Sequence, residues 1–317
     1  MIEVAICTHN PSPSTLSIVL NSLARQTSGP GSYRVLLVDN ASSPPLTDEC
    51  LTPLRQAGID ARLVTEPTPG LSRARIKAIE ETSEEWLLFV DDDNELSATF
   101  IADGLDFISK HPEVGCFGGK LILPAHLTPP SWVTPFLPYL GIKDFGNEII
   151  INKTVDGWGP WEPAGAGAWV HRKVLTEYRR RSLHDENFFA LGRTGKSNLA
   201  SCDDSLLMRC AYRIDMANAY VPQLSLKHHL SPHRFKFSYL IRLMNAYGRS
   251  HVVLENVLKG QQQTANYYAT ITNFRKLVPH IFTLARKKSL PFALGQIAYH
   301  IGARSEYRRQ REKKRST

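Results

Sequence analysis

The sequence predicts an α/β chain: a mostly parallel sheet flanked by helices, followed by a helical extension. Three observations predict it. Short apolar runs alternate with helical patterns from residue 2 to residue 121, polar residues collect where those runs end, and residues 235 to 303 read as helical throughout. Strands that alternate with helices form βαβ units, which build parallel sheets. In order, the pattern predicts strand 2–7, helix 13–26, strand 33–38, helix 46–57, strand 60–65, helix 71–82, strand 86–90, helix 97–110 and strand 114–121. A second structured stretch, 164–230, carries helices from Lys173 and from Asp204 and a strand near 215–221. Between Pro124 and Pro163 lie seven prolines and three of the five tryptophans, which suits an irregular surface excursion. Trp132, Trp158 and Trp161 there can stack on sugar rings or pack in a core.

The strand Trp86–Val90 ends in Asp91-Asp92-Asp93-Asn94. At the carboxyl end of a parallel strand, where open α/β sheets bind ligands, three adjacent acids repel one another unless a cation offsets them. This predicts a site for a divalent metal and a phosphorylated ligand. An EF-hand is excluded, because Leu96 stands where that loop needs its turn glycine. Thr8-His9-Asn10 and Asp39-Asn40 fall on the same edge; Asp39 and Asn40 can cap the next helix or accept hydrogen bonds from a base or ribose. Gly70 to Arg75 opens a helix after a strand, with Ser72 suited to the N-cap. There, backbone amides, Arg73 and Arg75 can face a diphosphate, since arginines in a first turn otherwise oppose the helix dipole. Asp203-Asp204 precedes a helix with Leu206, Leu207 and Cys210 on its apolar face, and such a carboxylate pair can cap that helix or provide a general base. His228-His229 can offer a nitrogen ligand to a metal held mainly by oxygens.

Five such motifs in this order resemble the family 2 inverting glycosyltransferases over roughly residues 1–230. The resemblance implies a Rossmann-like nucleotide-binding sheet of the type A glycosyltransferase fold. Its donor-binding half would be 1–123, its acceptor-binding and catalytic half 124–230, and 231–317 a helical extension with a basic tail. It implies that Thr8, Asn10 and Asp39 hold base and ribose, with Asn40 and Asp92 in the same donor-binding set. Arg73 and Arg75 would stand near the diphosphate, Asp91 would touch the nucleotide, and Asp93, with His228, would bind Mg2+ or Mn2+. Asp204 would be the base, with Asp203 in place of the usual Glu. The chain also departs from the family at Arg75-Ile76-Lys77-Ala78, where the pattern continues Arg-Asn-x-Gly.

The donor would be a nucleotide diphosphate sugar, and the acceptor a glycan or lipid-linked glycan. A noncatalytic sugar-binding protein and a sugar nucleotidyltransferase are the competing classes, the latter lacking a Gly-rich phosphate loop near the amino terminus. Five cysteines without Cys-x-x-Cys spacing suggest neither zinc cage nor disulfide framework and suit a reducing cytosol. The chain opens on a strand pattern without a basic and apolar leader, and no apolar run reaches the ~18 residues of a spanning helix. The net charge is +8, and residues 304–317 hold seven Lys/Arg against two Glu, leaving +3 for the rest. Such a tail can be a solvated helix end or can contact anionic lipid or nucleic acid; the preferred reading is contact with the anionic inner face of a cell membrane, and no nucleic-acid partner is expected. The stripe Leu240, Ile241, Leu243, Met244 and Tyr247 is read as packing on its own domain.

Overall fold

A computed structural model of the chain describes residues 1–154, 158–185, 187–194, 199–259 and 274–315. They fall into two compact units: Met1–Ala125 with Gly141–His184 and Asp204–Leu230, and His126–Leu140 with Asp185–Asp203 and Ser231–Thr317.

The first unit is built on a nine-stranded sheet. Its elements are β1 (Ile2–Thr8), α1 (Pro13–Ala24), β2 (Tyr33–Asn40), α2 (Thr52–Gln56), β3 (Ala61–Glu66), α3 (Leu71–Glu81), β4 (Trp86–Asp91), β5 (Asn94–Leu96), α4 (Phe100–Lys110), β6 (Val114–Ile122), β7 (Ile150–Asn152), β8 (Ala168–His171), α5 (Arg172–His184), α6 (Asp203–Arg209) and β9 (Ala217–His228). The sheet runs β3-β2-β1-β4-β8-β6-β9-β5, with β7 on β9. β3, β2, β1 and β4 are mutually parallel, as are β6 and β9, while β8, β5 and β7 pair antiparallel to their neighbours. The predicted mostly parallel sheet flanked by helices is therefore what forms. β1, β2 and β4 are buried almost without interruption, as strands covered on both faces must be.

Several local expectations are corrected. Ser72 does not cap α3: the N-cap is Gly70, at φ 145°, and Ser72 is buried in the first turn with its Oγ unpaired. A positive φ of that size suits glycine, whose missing Cβ removes the clash. The helix expected from Ser97 starts at Phe100, because residues 94–96 pair with β9 as a strand first. The strand expected at 215–221 is twelve residues long and ends on His228. Between β6 and β9 the register shifts at Gly118/Lys120, and a Cβ on Gly119 would lie 1.9 Å from the Leu224 carbonyl oxygen.

The second unit holds α7 (Phe237–Lys259), α8 (Phe274–Lys287) and α9 (Leu290–Arg315), together with a run of 3-10 turns, Ser131–Leu140. The Pro/Trp-rich stretch is thus not wholly irregular, because those turns bury Val133, Phe136 and Leu140. Phe136 packs edge-on against Phe292 of α9, with ring centroids 5.0 Å apart. The α7 stripe packs as expected: Leu240, Leu243 and Met244 are fully buried. α7 and α9 meet backbone to backbone. A Cβ on Gly248 would lie 2.0 Å from the Tyr299 carbonyl oxygen, and one on Gly302 2.0 Å from that of Asn245. Of the basic tail, α9 takes in all but Ser316 and Thr317, which lie outside the described residues.

Forcing a methyl group against a carbonyl in either place costs about 3 kcal/mol, the upper range for overpacking. Gly119→Ala and Gly302→Ala should each lower the urea midpoint of unfolding accordingly; an unchanged midpoint in either would show that the contact relaxes without cost.

Candidate active site

The carboxyl ends of β1, β2 and β4 lie side by side, because the register sets Thr8 opposite Asp39 and Cys7 opposite Asp91. Thr8 Oγ1 donates to Asp92 Oδ2, which draws one of the three acids toward β1. Asp39 is buried, and its two oxygens accept the Ser42 and Leu46 amides at 3.1 and 2.9 Å. Asn10, in the left-handed region at φ 51°, donates its amide to Ser42 Oγ and accepts the Ser43 amide on Oδ1. His9 Nδ1 is 2.7 Å from the Asn40 carbonyl oxygen, which makes Nδ1 the protonated nitrogen; Nε2 then accepts from Asn10 Nδ2 at 3.0 Å.

Asn40 is committed elsewhere than toward a ligand. Its Nδ2 donates to the Glu66 and Thr68 carbonyls and its Oδ1 accepts the Gly70 amide at 2.7 Å, so it clasps the loop that leads into α3. That clasp sets where α3 begins and hence where its arginines stand. Arg73 is half-buried in the first turn. Arg75 is buried, with its guanidinium carbon 5.7 Å from the centroid of Phe89.

The acidic turn after β4 is pinned by Asn94, which is 0 % exposed. Its Oδ1 accepts the Asp91 amide at 3.1 Å and its Nδ2 donates to Asp93 Oδ1 at 3.2 Å. Because Asn94 pairs with His228 in the β5–β9 ladder, the end of β9 meets the turn: His228 Nε2 lies 3.3 Å from Asp93 Oδ1, and the Asp93 carbonyl accepts the His229 amide. His229 itself turns to Glu95, at 2.8 Å. Of the two histidines, His228 is therefore the one beside the acids.

Among the described residues, no group of three or more His, Cys, Asp or Glu side chains is placed to hold a metal ion. The pair Asp93 and His228 nevertheless fits a share of one. Neighbouring ligands of an octahedral ion at about 2.1 Å sit about 3 Å apart, and Mg2+-type ions take one or two protein ligands and complete their shell with phosphate oxygens and water. The 3.3 Å between Oδ1 and Nε2 is close to such an edge.

Asp203 and Asp204 begin α6. Asp203 is buried, whereas Asp204 is half-buried and its two oxygens accept the Ser205 amide at 2.9 Å and the Gly165 amide at 3.2 Å. Gly165 is closely approached: a Cβ would lie 2.3 Å from Arg75 Nη2 and 3.1 Å from Asp204 Cβ, so a side chain there would displace the guanidinium. Arg75 of α3 and Asp204 of α6, separated by more than a hundred residues, thus meet across one glycine. Glu162 holds the same loop to the same helix. It accepts from Ser205 Oγ at 2.7 Å and from Arg209 Nε at 2.9 Å in a buried ion pair. Burial pushes the Glu162 carboxyl above its usual range, against the opposing pull of Arg209 and Ser205.

Sequence reasoning gave no role to His9, which it named only within Thr8-His9-Asn10, and did not single out Ser42 or Glu162. The only signal for Glu162 is an acid set between Trp161 and Pro163 in an otherwise apolar loop. Of the three tryptophans in that region, Trp158 is exposed, Trp161 lies under Gly159, and Trp132 stands edge-on to Phe136 and Phe237.

A family model described as Glycosyl transferase family 2 matches residues 3–179. Among solved structures, the chain is similar to the mannosyltransferase PcManGT from Pyrobaculum calidifontis in complex with GDP-Man and Mn2+. The two share 16% identity at a TM-score of 0.56, over 96% of this chain and 86% of that one. It is also similar to TarS 1-349 from S. aureus, with 16% identity and a TM-score of 0.48 over 98% of this chain and 91% of that one. No curated protein matches. The fold likeness to the mannosyltransferase agrees with the sheet described above, and the family match spans the acidic turn, the α3 arginines and the Gly165 loop over more than half of the chain: it belongs to glycosyl transferase family 2.

Proposed function

We propose that this glycosyltransferase moves a sugar from a nucleotide diphosphate sugar to an acceptor hydroxyl with inversion at the anomeric carbon. The acceptor is a glycan or lipid-linked glycan in polysaccharide or other surface glycan synthesis. The observation that carries the reading is the meeting of Arg75 and Asp204 at Gly165, which sets a cation suited to a leaving diphosphate beside a carboxylate suited to a general base. The mannosyltransferase similar in fold is held with GDP-Man and Mn2+, in line with a diphosphate donor and a divalent ion.

In this reading Asp39, Thr8 and Asn10 hold the base and ribose, and Asp91 and Asp92 contact the nucleotide. Asp93 and His228 hold Mg2+ or Mn2+, which when bound offsets charge on the departing diphosphate. Arg75, and Arg73 one position before Ala74, face the same anion. Asp204 takes the proton of the acceptor hydroxyl as that oxygen attacks the anomeric carbon. The bond from that carbon to the diphosphate oxygen breaks on the opposite face, so one displacement inverts the centre. Two backbone amides hold the Asp204 carboxylate and fix its rotamer, and each oxygen keeps a lone pair. Asp203 is buried beside it, which supports Asp204 as the base. In this reading the protein works in the cytoplasm, and its basic tail supports a peripheral position on the inner face of the cell membrane.

Asp204→Asn should lower turnover by about 100-fold to 10,000-fold while nucleotide diphosphate affinity stays within twofold of native. Steady-state kinetics with calorimetric titration of UDP, GDP and dTDP separates the two quantities, and unchanged turnover overturns the base assignment. Asp93→Ala should remove the difference in nucleotide affinity between Mn2+ and EDTA; a native protein whose affinity is equal in both counts against a metal at Asp93. Donor hydrolysis without acceptor distinguishes a transferase from a binding protein.

A further inference from the structure

α9 is apolar on two sides. One side faces α7 through Gly302, with Phe292, Ala298 and Ala303 buried. The other side carries Leu290, Leu294, Ile297 and Ile301, spaced at i, i+4, i+7 and i+11, which places them on one stripe within about 60° of each other. Leu290 is 63%, Leu294 41% and Ile301 59% exposed, and Ile297 is partly exposed. Phe282 of the preceding helix, α8, is 77% exposed. Large side chains gathered like this in water mark a surface that is covered in use.

The charge around the stripe says what covers it. Exposed Arg304 and Arg308 continue the same face one and two turns on, at i+14 and i+18 from Leu290. Arg286, Lys287 and Lys288, all exposed, precede it in the chain. Among the described residues from 286 to 312 the one exposed acid is Glu312, since Glu306 is buried against Arg309. Ile301 also lines a cavity of about 540 Å3 whose wall carries Arg242 and Arg249, exposed guanidinium groups that make no ion pair among the described residues. Two copies of such a face would repel each other, whereas an anionic bilayer complements it: the apolar stripe enters the acyl boundary and the basic residues meet the phosphates. No helix among the described residues is long and apolar enough to cross a membrane, so this surface lies on the bilayer and does not span it.

We propose that the Leu290–Arg308 face of α9 is an interfacial docking surface for anionic phospholipid. It needs no assumption about the reaction and places the docking on the helix face itself, upstream of most of the basic tail.

Co-sedimentation of the full chain with phosphatidylcholine vesicles, with and without phosphatidylglycerol, tests it. The native protein should bind only vesicles that contain phosphatidylglycerol, and salt should weaken the binding. The combined variant Leu290→Ser, Leu294→Ser, Ile301→Ser should bind them on the order of 30-fold more weakly at an unchanged melting temperature, because all three side chains are exposed. Arg304→Gln with Arg308→Gln should also bind roughly 30-fold more weakly at low salt. Native-like binding by the serine variant overturns the proposal, as does absence of binding by the native protein. A native dimer that the serine variant converts to monomer also overturns it, by showing that a second copy covers the face.

Discussion

Three consecutive carboxylates at the end of a buried strand are the constraint around which the first unit is arranged. Asp91, Asp92 and Asp93 sit on short links, so their mutual repulsion can be relieved only by partners from other elements. Two of them are met in different ways. Asp92 takes a hydroxyl from β1, and Asp93 takes Asn94 Nδ2 and stands against His228 from β9, while the backbone amide of Asp91 is held by Asn94. These contacts require the register of β1 on β4 and of β5 on β9 at once; slipping either by one residue would turn the partner to the other face of the sheet. The short strand β5 therefore does what a longer loop could not: it brings the last residue of a twelve-residue strand to the acids.

The second acidic pair depends on a buried ion pair. Glu162 and Arg209 are both almost inaccessible, and removing two charges from water costs several kcal/mol per ion unless their geometry and hydrogen bonds are good. Here Ser205 supplies the further hydrogen bond, and it is the residue after Asp204. The pair adds little net stability by itself, but losing one partner would leave the other charged and dry, so the 162–167 loop has one low-energy position over α6. Gly165 then approaches Arg75 and Asp204 closely enough that a side chain there would displace the Arg75 guanidinium. Precision at this point comes from a loop that is polar where it touches α6 and small where it touches α3.

What could be read in advance follows from which signals are local. The buried strands β1, β2 and β4 are continuous apolar runs ended by polar residues, and their boundaries fall within one or two residues of expectation. β5 and β7 are three residues long and β8 four, too short for any periodicity to register. α3 begins at Leu71, where the pattern puts it, but its N-cap is Gly70 and not Ser72, because the decisive contact, Asn40 Oδ1 on the Gly70 amide, spans thirty positions. The same division holds in the site. Thr8, Asn10, Asp39, Arg75, Asp93 and Asp204 were visible as polar residues at strand or helix ends. His9 was visible in the same way but its role was not, and Ser42 and Glu162 were not singled out at all, since these roles come from loop geometry that no spacing encodes. Asn40 stood in a readable motif, yet its side chain serves the fold.

The extension carries the same lesson in its packing. A helix that buries one face usually leaves the other polar, and α9 departs from that rule. Glycine at 302 changes the outcome. It lets the α9 backbone approach α7 to within contact of a carbonyl, so the buried side of the helix is made of small residues and two aromatic neighbours, Phe136 and Phe292, fill the space beside it. Close approach of that kind leaves no depth for a second layer of leucine and isoleucine. Leu290, Leu294 and Ile301 consequently stay outside, on the side where the basic residues continue. The glycines that make the helix pair tight are thus also what leaves its outer face free to meet another surface.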